Sequence, residues 1–237
     1  MSEHLVVASA AEARGPVWAS ASWLRAEILD TLAELNEQCL ELICEQAAAS
    51  APRSGPGLLA ELEALWGALD MASRRRAARC PFLLVDAGFG RAGCRPWRDA
   101  RGTGAPIPRA LGVRDRDWPA APRAFFTVPR TVPVARLLLA YAWHLARSER
   151  VAAQLFLGMS ARCADRVAGC TLRQVIQIAE SEPQLLEPRW PDRHEVWREL
   201  LAAAIGTETA ALERFRIRGF QLLAAETRRR GYDDLDM

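Results

Sequence analysis

The chain has 237 residues, half of them apolar and a quarter charged, with a formal net charge of +2. That balance describes a folded globular protein and excludes a disordered tail. No run of about 18 apolar residues occurs, the longest candidate being Leu137 to Leu145 behind Arg136, so no membrane-spanning helix is expected. All 31 basic residues are Arg and Asn36 is the single Asn, a bias that a GC-rich genome explains. The beginning, Ser2-Glu3-His4, lacks the positive region and apolar core of a signal peptide, and the expected location is the cytoplasm.

Leu24, Ile28, Leu32, Leu35, Cys39 and Leu42 recur at steps of three and four, one stripe of an amphipathic helix. A second stripe runs through Leu58, Leu62, Leu65 and Leu69. With Pro52 to Gly57 as a turn, the two stripes predict an antiparallel helical hairpin. A short helical run with Arg74-Arg75-Arg76 as a solvated face follows and ends at Pro81. Phe82 to Val85 is apolar but too short for periodicity to decide between strand and helix.

Residues 90–133 hold 9 Arg against 3 acids, with 5 Gly and 7 Pro in 44 positions. This density breaks helix and strand patterns alike and predicts a basic linker exposed to protease. Its Arg residues, with Trp97 and Trp118 among them, could follow a nucleic-acid backbone, lie against the acidic residues 1–89, or remain solvated. The expected division is therefore a helical region over 1–89, a linker over 90–133 and a helical domain over 134–237.

Beyond the linker the helices are well punctuated. Pro133 suits the first turn of a helix to about Arg147, with Leu137, Leu138, Tyr141 and Leu145 as its apolar face. A second helix over 149–157 ends at Gly158, and Ser160 caps a short helix over 161–168. Thr171 and Gln174 form a capping box for a helix expected to bury Leu172, Val175, Ile176 and Ala179. Asp192 and Glu195 suggest another capped helix closed by Gly206, and Thr207 a cap for the last helix, which runs to about Arg230. Short helices joined by tight turns are the material of helix-turn-helix modules. On the last helix Arg214 and Arg218, with Gln221 nearby, form a polar face suited to phosphates or base edges, or simply to solvent.

Catalytic patterns are missing. His4, His144 and His194 are far apart, His144 being expected in a core or interface, and neither a phosphate loop nor a zinc helix nor a nucleophile elbow occurs. The cysteines, Cys39, Cys44, Cys80, Cys94, Cys163 and Cys170, lack zinc-site spacing and are expected to be reduced and apolar in role. The reading is all-α, with no enzyme activity, metal or cofactor.

The order and spacing of Leu137-Leu138-Leu139-Ala140, Phe156, Leu157-Gly158-Met159-Ser160, Ala164-Asp165, Thr171-Leu172-Arg173-Gln174-Val175 with Ala179-Glu180, and Arg189-Trp190 with Asp192 and His194 resemble the FlhD family, the D subunit of the bacterial flagellar master regulator. The resemblance covers about residues 134–223; the first 130 residues have no counterpart in that short family. It implies a transcriptional regulator acting in a protein complex on DNA, with motility genes as candidate targets, that forms a homodimer and binds an FlhC-like partner, the C subunit. Leu137, Leu138, Tyr141, Leu145 and Phe156 are the expected dimer interface, and Arg214, Arg218 and Gln221 the expected DNA contacts. The family's Ser-Arg turn is Ala204-Ile205-Gly206 here, and the disulfide-forming Cys of some members is replaced near Leu185 and Leu186. The alternative is a helical protein-interaction module without direct DNA contact.

Overall fold

The computed structural model describes residues 26–49, 57–89, 97 and 124–233, with side chains as far as Glu226. Leu24, the turn before Gly57, Cys94, Trp118 and most of the basic linker lie outside the described residues. The structure is mostly helical with one small two-stranded sheet. Among the described residues no helix is long and apolar enough to cross a membrane.

Helix α1 spans Ala26–Ala49 and buries Leu32, Leu35, Cys39 and Leu42 of the expected stripe, with Leu40 and Ile43 beside them, while Ile28 is half-buried. The second stripe is broken at Leu62 into α2 (Gly57–Glu61) and α3 (Glu63–Ala68), although Leu58, Leu62 and Leu69 are buried as expected. Asp70 then caps α4 (Met71–Ala78) by accepting from Ser73 N at 2.7 Å. The main partner of α1 is α4, so the expected two-helix hairpin becomes a small bundle in which α2 and α3 form one edge. The three arginines of α4 also tie elements together. Arg75 pairs with Glu37 of α1, Arg74 donates to the Leu69 carbonyl, and Arg76 Nε donates to the Ala204 carbonyl at 2.7 Å.

The apolar run after Pro81 leads into a strand, β1 (Val85–Ala87). It pairs antiparallel with β2 (Leu186–Pro188), Val85 opposite Pro188 and Ala87 opposite Leu186. The lead-in is held from three directions. Asn36 Nδ2 donates to the carbonyls of Ala78, Cys80 and Phe82, its Oδ1 accepts from Leu84 N, and Leu83 N donates to the Phe156 carbonyl. Long-range hydrogen bonding, not apolar periodicity, makes this segment extended.

After the linker come α5 (Thr131–Ser148), α6 (Arg150–Leu157), α7 (Ala161–Ala168), α8 (Leu172–Ser181), a 3-10 turn (Pro183–Leu185), β2, α9 (His194–Ile205) and α10 (Thr209–Asp233). Gly158 stops α6 in the left-handed region, with φ 68°. Ser160 caps α7, and the Thr171–Gln174 capping box of α8 is present in both directions. Two expected caps are not formed. The N-cap of α9 is Arg193, without a side-chain bond, because the turn before it is built by Arg193 N donating to the Trp190 carbonyl. Thr207 takes a left-handed φ of 60°, and the first amides of α10 turn back to the Glu208 carbonyl.

One hydrophobic core contains Leu32 and Leu40 of α1, Trp66 of α3, Phe82 and Leu84 before β1, and Leu138, Phe156, Trp197 and Phe215 beyond the linker. Among the described residues, the regions expected as separate units, 1–89 and 134–237, thus contribute to one core. Phe126 and Trp97, both inside the expected linker, are also buried, Trp97 stacking on Phe89. α5 begins at Thr131, which places Pro133 in its first turn as expected.

Candidate functional site

The last two helices meet at a corner fixed from inside. α9 ends where Gly206 N donates to the Ala202 carbonyl, and Arg76 reaches across from α4 to the carbonyl of Ala204. α10 buries Leu212, Phe215, Gly219 and Leu223, spaced three, four and four, so one side of the helix is committed to the core. Gly219 lies directly on the ring of Phe82, where an added Cβ would come within 2.1 Å of the ring edge. A glycine amid helix-forming residues is the one mark the sequence gives of this close approach.

The opposite side of α10 carries Arg214, Ile217, Arg218 and Gln221, all exposed, with Ile217 at 61%. The three expected DNA-contact residues are therefore on one face. Arg218 makes an ion pair with Glu199 of α9, and Arg216 one with Glu213. Nineteen residues separate Glu199 from Arg218, and no local spacing in the sequence foretells that pair.

The stretch Arg189-Trp190 and its neighbours serve the joint between strands and helices. Arg189 is 2% exposed; its Nε donates to the Leu83 carbonyl at 2.8 Å, its Nη2 to the Leu157 carbonyl at 2.9 Å, and its own carbonyl accepts from Trp197 Nε1 at 2.7 Å. Gly158 is required there twice over, by its positive φ and because a Cβ would come within 2.8 Å of the Arg189 guanidinium. Trp190, at φ 56°, packs edge-on against Phe82 and donates to Glu226. A shallow cleft of about 250 Å³ opens beside this joint, lined by Asp86, Glu187, Asp192, Arg193 and Glu226 among others. His194 turns away from it and pairs through Nδ1 with Glu61 of α2 at 2.7 Å.

Of the five residues expected at a dimer interface, Leu138, Leu145 and Phe156 are at most 2% exposed, covered by the chain's own elements. Tyr141 is partly buried and donates to the Ile28 carbonyl of α1 at 3.1 Å; burial pushes the pKa of its hydroxyl up to about 12. Leu137 alone faces outward, 55% exposed. α8 is also rotated from its expected phase: Val175, Ile178 and Ala179 are buried while Leu172 and Ile176 are exposed. His144, expected in a core or interface, is exposed on α5.

Cys39, Cys80, Cys163 and Cys170 are buried, and Cys44 is half-buried. Among the described residues no group of three or more His, Cys, Asp or Glu is placed to hold a metal ion. Comparison with family models, curated proteins and solved structures finds no match.

Proposed function

We propose that the chain is an FlhD-like transcriptional regulator acting in a protein complex on DNA, with motility genes as its targets and an FlhC-like subunit as its partner. The observation that supports this reading is the outward face of α10, where Arg214, Arg218 and Gln221 stand together beyond a tight α9–α10 corner. Helix-turn-helix proteins place polar residues of a second helix in the major groove while neighbouring elements hold the backbone. Arg offers two parallel donors to a phosphate or to guanine. The homodimer of this reading needs a surface other than Leu138, Tyr141, Leu145 and Phe156, which pack within the chain.

The test is a salt titration of the full chain on duplex DNA, with and without a C-subunit-like partner. Each phosphate neutralised steepens the dependence of affinity on salt by about 0.9 log units. Arg214→Ala with Arg218→Ala should weaken binding and flatten the slope by about two. Absence of binding at low salt in both settings would remove DNA from the proposal.

A second reading, a helical interaction module without DNA contact, is favoured by one observation. Arg218 already shares its charge with Glu199, so a phosphate would have to compete with a carboxylate. Glu199→Gln separates the readings: it frees Arg218 and should tighten DNA binding in the first and change nothing in the second.

A further inference from the structure

An apolar strip remains open along α5. Pro133, Leu137 and His144 are exposed on its outer side, with Ala140 half-buried between them. α1 borders the strip on one side through the bond from Tyr141 to Ile28. α8 borders it on the other, where Arg136 pairs with Glu180 and Trp143 Nε1 donates to the Cys170 carbonyl. These two rungs run α8 antiparallel to α5, so Ile176 and Leu172, one and two turns before Glu180, follow the same edge. Both are exposed, at 38% and 45%. The ion pair at the rim is neutral as a unit, and the open residues are apolar.

The chain itself supplies an occupant. It enters α1 at Ala26, two residues before the carbonyl that Tyr141 holds, and 25 residues precede that point. These residues carry Glu3 and Glu12 against Arg14 and Arg25, so they bring no net charge, and they include Val17, Trp18, Trp23 and Leu24. Eight residues of extended chain, the separation of Trp18 from Ala26, reach about 26 Å. The 18 residues of α5 are about 27 Å long, so Trp18 can reach along the strip, while Trp23, three residues from Ala26, reaches about 10 Å onto its near end.

We propose that the α1–α5–α8 strip is a docking surface for the chain's own N-terminal segment, with Trp18 and Trp23 seated on Leu137, Leu172 and Ile176. Tethering keeps the segment at an effective concentration in the millimolar range, so burial of one or two indoles is enough to hold it. Any protein that binds the α5–α8 edge would first have to displace these residues.

A photoreactive benzoylphenylalanine placed at Leu137 or at Ile176 of the full chain tests this directly. The expected product is an intramolecular cross-link mapping to residues 17–24, and Trp18→Ser with Trp23→Ser should lower its yield at least about tenfold. The proposal is overturned by covalent dimers, which would assign the strip to a second copy, or by cross-links to another segment. It is equally overturned by a yield no higher than at the exposed control position Ala202, or by a yield unchanged in the double variant.

Discussion

Asn36 is the chain's one asparagine, and a composition bias accounts for the missing others but not for this one. It is fully buried, and its amide makes four hydrogen bonds to the backbone between Ala78 and Leu84. An amide suits the site because its nitrogen donates while its oxygen accepts. Asn36→Ala would leave three carbonyls and one amide without that partner, and we expect a loss of at least about 3 kcal/mol in urea unfolding. Asn36→Asp should not restore the loss, since a carboxylate cannot donate. An equal midpoint for wild type and either variant would show that the bonds contribute nothing net. Arg189 plays a similar part from the other side, which explains a motif residue that the sequence could mark but not interpret.

At the level of single elements, local chemistry is legible in the sequence and facing is not. Gly158, Ser160 and the Thr171–Gln174 box act on neighbours within four residues, and each does what its type and spacing predict. Asp192 and Thr207 fit the same patterns, yet the turns around them are set by Trp190 and Glu208 instead. The burial phase of α8 differs from its expected one because Leu172, Val175, Ile176 and Ile178 are all apolar, so the pattern admits more than one face. Exposure on α8 and α10 depends on neighbours far away in sequence, as does the pairing of Arg218 with Glu199. Gly219 shows the same dependence. In an open helix Gly→Ala stabilises by roughly 0.5–1 kcal/mol, but against Phe82 it must displace a ring, and we expect Gly219→Ala to cost about 1–3 kcal/mol. Gly67, where an added Cβ would meet nothing within 4 Å, is the control, and a higher melting temperature for both variants would refute the contact.

For the whole molecule, the shared core changes what the linker can do. The first protease cut is still expected between residues 90 and 132, but the fragments should stay together, because β1 is paired with β2 and Phe82 packs against Trp190, Phe215 and Phe220. Nicked protein should therefore elute from a sizing column at the intact volume and separate only in denaturant; two folded fragments eluting apart would restore the two-domain division. Buried acids add an alkaline limit. Burial raises Cys39 and Cys80 from 9.0 to about 12 and Tyr141 from 10.0 to about 12. The unfolded chain releases these protons first, so their contribution is complete below pH 9 and is lost as pH rises toward 12. Melting temperature should fall steadily across that window, and Cys39→Ala should make the fall shallower.

The bond from Arg189 to the Leu83 carbonyl spans 106 residues of sequence, whereas Ser160, Thr171 and Gly206 act across four or fewer. Helices of the second kind form in about a microsecond or less, but a link of the first kind must wait for a long loop to close. The strand pair and its arginine are thus expected to form later than the helices, joining the two halves of the core. A growing chain cannot make that bond until residue 189 has been synthesised, so the Leu83 carbonyl waits through 106 further residues for the arginine.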